Sequence, residues 1–130
     1  SKGIGAVTAQ LLLDLGAEVV ICARSAEGLA AAKDGMKGSE RCHVLSADLS
    51  TEAGVEAAAE GYPFDTCDIL VNNAGINIRS KAEDFTEEQF NAVFSTNFLS
   101  VYRLSKAMLP KLQKAQGAAV VNISSVASSV

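Results

Sequence analysis

Four short runs dominate the sequence: "EVVICA" (18–23), "CHVLSA" (42–47), "DILVNN" (68–73) and "AAVVNI" (118–123). Each is apolar, and a helix-patterned stretch precedes each one. Apolar runs this short suit strands covered on both faces. Strands alternating with helices pair in parallel through right-handed crossovers. The expected class is α/β: a doubly wound, Rossmann-type parallel sheet with helices on both faces, here as one partial domain over residues 1–130. Such sheets bind ligands at the carboxyl ends of their strands. The residues to inspect are therefore those following 23, 47, 72 and 123.

Helical periodicity places Ile4, Val7, Leu11 and Leu15 on one stripe of the first helix, with Gly16 as its C-cap. Ser25 is expected to cap a second helix that reaches Lys37 and stops at Gly38, and Ser50 a short third helix through Glu60. Thr86 and Gln89 have capping-box spacing and open a long helix to Gln113. That helix carries an apolar stripe of Phe90, Val93, Phe94, Phe98, Val101, Leu104, Met108 and Leu112, with Asn97 inside it. An amide buried in such a stripe must find partners, either nearby backbone or a water or side chain at a site.

With 48% hydrophobic and 20% charged residues, the chain supports a packed core. Its net charge of −4 argues against nucleic acid or a membrane surface as partner. No apolar run approaches the roughly 20 residues of a membrane span. Cys22, Cys42 and Cys67 make an odd count without C-x-x-C, which fits buried free thiols in a reducing, cytoplasmic compartment. His43 has no partner at metal spacing, so no metal site is expected.

The predicted ligand edge collects most of the polar chemistry. "SKGIG" (Ser1–Gly5) opens the first helix, and glycines there let a backbone approach a phosphate, although two glycines can equally make a plain turn. Lys2 lies in this turn and Arg24 directly follows the first strand. An acidic residue at that strand end would suit the ribose hydroxyls of NAD, whereas two cations suit the 2′-phosphate of NADP, unless both are ordinary solvated charges. Asp48 ends the next strand and can accept from an adenine amino group or serve as a turn residue. In "VNNAG" (71–75), polar Asn72 and Asn73 stand where the apolar run stops, and Ala74 and Gly75 leave room for a ligand. Ser124 and Ser125 follow the last strand. No histidine follows them, so a nucleophilic triad is poorly supported; a serine hydroxyl donating to a substrate carbonyl is the alternative.

Taken together, "SKGIG", "CAR", "ADLS", "NNAG", "STNF" and "VNISS" resemble, in order and spacing, the classical NADP-preferring short-chain dehydrogenase/reductase family, and the central stretch is similar to its tropinone reductase-like group. The resemblance implies that Ser1, Lys2, Gly3, Ile4, Gly5, Arg24, Asp48, Leu49, Asn73, Ala74 and Gly75 border NADP(H). It also implies that Asn97 and Ser125 are the catalytic asparagine and serine. The implied chemistry is hydride transfer between NADP(H) and a small-molecule ketone or secondary alcohol, in a homodimer or homotetramer. The family's first strand, first loop glycine and Y-x-x-x-K pair are expected outside Ser1–Val130, so the chain is expected to be a fragment, inactive alone. Its interrupted sheet would leave an exposed edge. A non-catalytic nucleotide-binding relative and a 3-oxoacyl thioester reductase are the competing readings. A nucleotide-fold methyltransferase would want an acid where Ala23 and Arg24 stand.

Overall fold

Glycine sets both ends of the first helix. In the computed structural model, which describes residues 3–125, Gly3 takes a φ of 67° ahead of helix α1 (Ile4–Asp14), and Gly16 takes 91° just past it. The Gly16 N–H donates to the Leu13 carbonyl (2.9 Å) and the Ala17 N–H to Leu12 (3.0 Å). This is the paired closure that a left-handed glycine permits at a helix end. The chain then reverses into strand β1 (Val19–Ala23). Eleven helical and five extended residues each span about 16 Å, so the start of α1 returns to the level of the carboxyl end of β1.

The residues group into two units, Ser1–Tyr62 and Pro63–Val130. In the first, β1 leads through α2 (Ala26–Asp34) to β2 (Cys42–Ser46), and α3 (Glu52–Glu60) follows. The two strands pair in parallel with Val19 opposite Cys42 and Ala23 opposite Ser46. Ser25 caps α2 as expected, accepting from the Gly28 N–H at 3.0 Å. The helix ends at Asp34 with Gly35 as its C-cap, short of the expected Lys37, and Gly38 turns the chain with a φ of 73°.

The core of this unit is Ala9, Leu13, Val19 and Cys42, backed by Leu12, Ala17, Ile21 and Met36. The stripe expected from periodicity, Ile4, Val7, Leu11 and Leu15, points outward, and Leu15 is 76% exposed. α1 is apolar almost all round, so its sequence offers more than one stripe. The packed one uses Ala9, whose small side chain lets the helix approach closely, and the fully buried Leu13 contributes about 1.5–3 kcal/mol.

In the second unit, β3 (Ile69–Asn72) pairs in parallel with β4 (Ala119–Asn122), Ile69 opposite Ala119 and Asn72 opposite Asn122. The crossover is helical: α4 (Glu87–Phe94), a five-residue π-turn (Ser95–Leu99) and α5 (Ser100–Gln113). The capping box forms as read, with Thr86 accepting from Gln89 N–H and Gln89 Oε1 accepting from Thr86 N–H. Sequence pattern also sets the end at Gln113, but not the π-turn inside the helix.

Met108 and Leu112 of the expected stripe are buried together with Cys67. Phe90, Phe94 and Phe98 are exposed instead and stack on one another, with ring centroids 5.8 and 5.0 Å apart. β4 is exposed along all four residues, against the expectation of strands covered on both faces. The helices described in this unit cover less than the apolar strands could bury.

Candidate functional site

The first unit gathers Gly3–Gly5, Arg24 and Asp48 at one end, through the length match of α1 and β1 and the register of β1 with β2. Among the described residues no side chain caps α1, and its first turn carries no acid; helix starts of this kind attract anions. Gly3 needs the positive φ that glycine tolerates without strain. Arg24 is exposed just beyond β1. Its carbonyl accepts from Ser46 Oγ at 3.0 Å, and Ala47 N–H donates to Ala23 at 3.0 Å, which ties the two strand ends together. No acidic residue stands at this end of β1; Ala23 and Arg24 are followed by Ser25. Ser1 and Lys2 lie outside the described residues.

Asp48 organises the turn after β2. Its Oδ1 accepts from Ser50 Oγ (2.7 Å) and Ser50 N–H (3.0 Å), while its carbonyl accepts from Thr51 N–H (3.1 Å) and Thr51 Oγ1 (3.0 Å). The Ser50 hydroxyl and then its amide hold the Asp48 carboxyl below the ordinary range, and the Arg24 charge adds a smaller push in the same direction. Leu49 is half-buried within this turn. The cap of α3 is Thr51, which accepts from Gly54 N–H at 3.0 Å, and not Ser50. Ser50 instead gives both its donors to Asp48.

In the second unit, "VNNAG" leaves β3 and meets the π-turn. Asn97 Oδ1 accepts from Ile76 N–H and Asn97 Nδ2 donates to Ile76 carbonyl, both at 2.8 Å. The same amide lies over Gly75, where an added Cβ would come 3.5 Å from Asn97 Oδ1. Asn97 is exposed, contrary to the expectation of a buried amide in an apolar stripe. The π-turn rotates it off that stripe, and wider turns of this kind recur at functional sites. Asn73 is half-buried, and Ala74 and Gly75 are exposed.

Asn72 turns the other way: it is buried, and its Nδ2 donates to Asn122 Oδ1 (2.8 Å) and Ser105 Oγ (3.2 Å). Ile123 N–H donates to the Asn72 carbonyl at 3.0 Å, which delivers Ser124 and Ser125 to the carboxyl end of β4, both exposed. Ser128 and Ser129 lie outside the described residues.

Sequence reasoning missed Ile76, Gly54, Ser105 and Asn122. Ile76 acts through its backbone, which leaves no side-chain signature. The Asn72–Asn122 pairing needs the strand register. Burial pushes the Cys22 and Cys42 thiols up, away from nucleophilic use. No metal-spaced cluster occurs among the described residues, and no helix among them is long and apolar enough to cross a membrane.

Known proteins share the sequence pattern and the fold. A family model described as short chain dehydrogenase matches residues 1–130. A rhamnolipids biosynthesis 3-oxoacyl-[acyl-carrier-protein] reductase of Pseudomonas aeruginosa is 38% identical over 133 residues, 98% of this chain and 52% of that protein. A chloroplastic tropinone reductase homolog of Arabidopsis thaliana is 37% identical over 134 residues, 100% of this chain and 42% of that protein. Among solved structures, the Pseudomonas aeruginosa RhlG/NADP active-site complex superposes with a TM-score of 0.89 at 39% identity, over 96% of this chain and 51% of that one. An actinorhodin polyketide ketoreductase with NADPH superposes with a TM-score of 0.90 at 26% identity, over 98% of this chain and 51% of that one. The chain thus spans about half the length of the relatives it matches, and its fold is their Rossmann-type α/β fold. By motif order, fold and matched residues, the chain belongs to the short-chain dehydrogenase family.

Proposed function

We propose that the whole protein is an NADP(H)-dependent carbonyl reductase that interconverts a small-molecule ketone and a secondary alcohol, with residues 1–130 forming part of its dinucleotide-binding domain. The observation that carries this reading is the two-way bonding of Asn97 to Ile76 over Gly75, at the mouth of β3. It brings the asparagine of "STNF" onto the loop "NNAG", two motifs that lie far apart in sequence.

The residues present fit the cofactor. The uncapped start of α1 suits a diphosphate, and Arg24, which follows β1 where the sequence Ala23–Ser25 carries no acid, suits a 2′-phosphate held by two parallel bonds. When bound, NADPH supplies the hydride. Ser125 donates its hydroxyl to the substrate carbonyl and stabilises the charge that develops on oxygen. Asn97 spends its side chain on Ile76, so its part is to hold the loop after β3. On this reading the proton donor would be the tyrosine of a Y-x-x-x-K pair in the whole protein, its acidity raised by the lysine.

Tropinone-like ketones, other small ketones and 3-oxoacyl thioesters are the substrate classes in play, the first supported by the tropinone reductase homolog and the last by the 3-oxoacyl reductases among the relatives. The exposed stacked rings of Phe90, Phe94 and Phe98 favour a homodimer or homotetramer. An odd count of three cysteines without C-x-x-C favours a reducing, cytoplasmic compartment.

The test is NADPH oxidation by the full-length protein with each ketone class. Ser125→Ala should lower kcat by about 10²-fold or more, as for loss of an oxyanion donor. Unchanged turnover, or a parent sequence without Y-x-x-x-K, rejects the reading.

A further inference from the structure

One side chain binds three elements of the second unit together. Asn72 is the last residue of β3, is 6% exposed, and its amide group carries two hydrogens. One goes to Asn122 Oδ1 on β4 at 2.8 Å and the other to Ser105 Oγ on α5 at 3.2 Å. The planar amide fixes the angle between these acceptors, so the end of β3, the end of β4 and one face of α5 are set relative to one another. Each of the three continues directly into a segment of the site: Asn73–Gly75 follows Asn72, Ser124–Ser125 follows Asn122, and the π-turn with Asn97 ends where α5 begins. Ser105 lies in the second turn of α5, about 9 Å along the axis from that π-turn.

We propose that Ser105 is a positioning residue of the reductase site: through Asn72 it holds α5, and with it Asn97, against the strand ends that carry Gly75 and Ser125. This rests on the function proposed above for its catalytic consequence, though not for the clamp itself. Without the hydroxyl, one hydrogen of a buried amide loses its acceptor while the Asn72–Asn122 pairing remains. The effect therefore falls on alignment more than on folding.

The test compares Ser105→Ala, Ser105→Thr and Ser105→Val in the full-length protein, with two readouts. The first is amide exchange at Ile123, whose N–H donates to the Asn72 carbonyl. The second is kcat and KM for ketone reduction. Ser105→Ala and Ser105→Val should each speed Ile123 exchange and lower kcat by roughly two- to tenfold, with KM for NADPH unchanged, as for loss of one hydrogen bond. Ser105→Thr, which keeps the hydroxyl in nearly the shape of Val, should restore both. If Thr and Val behave alike, or if exchange and kcat do not move in Ser105→Ala, the proposal is overturned. A wild-type protein without ketone-dependent NADPH oxidation would reject the reductase reading alone, and the exchange comparison would still decide the clamp.

Discussion

Asn97 and Ile76 exchange two hydrogen bonds of 2.8 Å, side chain to backbone in both directions, across 21 residues of sequence. The π-turn is what aims the amide at this loop. Asn97→Ala should cost about 1–2 kcal/mol in urea unfolding, the low end for two bonds because the pair is solvent-accessible. Asn97→Asp keeps the acceptor for Ile76 N–H but sets a carboxylate oxygen against the Ile76 carbonyl, so it should recover none of that loss. Equal stability of wild type and Asn97→Asp would show that the donor bond contributes nothing.

Gly54 and Gly75 should respond differently to alanine. A Cβ at Gly54 would fall on the Asp48 carbonyl, whereas one at Gly75 meets Asn97 Oδ1 at an ordinary 3.5 Å. Helix propensity alone favours alanine at Gly54 by up to about 1 kcal/mol. The clash with backbone outweighs it, and Gly54→Ala should destabilise by about 1–3 kcal/mol. Gly75→Ala should stay within about 0.5 kcal/mol of wild type in the same denaturation assay. A stabilised Gly54→Ala would refute this.

Asp48 makes the turn after β2 acid-sensitive. Its folded pKa lies below the unfolded value of about 3.9, chiefly because Ser50 donates to the ionised form. The stabilisation is therefore complete above the unfolded value and is lost as pH falls through the folded one. Stability measured from pH 6 down to pH 2 should fall less in Asp48→Asn than in wild type. Ser50→Ala should bring the Asp48 titration, followed by NMR, back toward its ordinary range.

In the function proposed above, Arg24 is the residue assigned to the 2′-phosphate. Arg24→Ala should weaken NADPH binding roughly tenfold or more, the equivalent of one charge-assisted contact, and leave NADH affinity nearly unchanged. A parallel loss for both cofactors in calorimetry would remove the assignment.

The strand and helix order was legible from the sequence because each signal is local. Apolar runs, the Ser25 cap, the Thr86–Gln89 box and the glycine at 16 all act within a few residues. Three outcomes depended on the tertiary structure, since each needs segments far apart in the chain. The buried face of α1 turned on Ala9 and Leu13 meeting β1, where periodicity alone favoured the stripe ending at Leu15. The π-turn turned on Ile76 being within reach of Asn97, a contact made by backbone. The role of Asn72 turned on a parallel register that sets it opposite Asn122 with Ser105 alongside. Sequence determined which residue types arrive at the strand ends; packing and register decided which of them face inward as clamps and which stay open to a ligand.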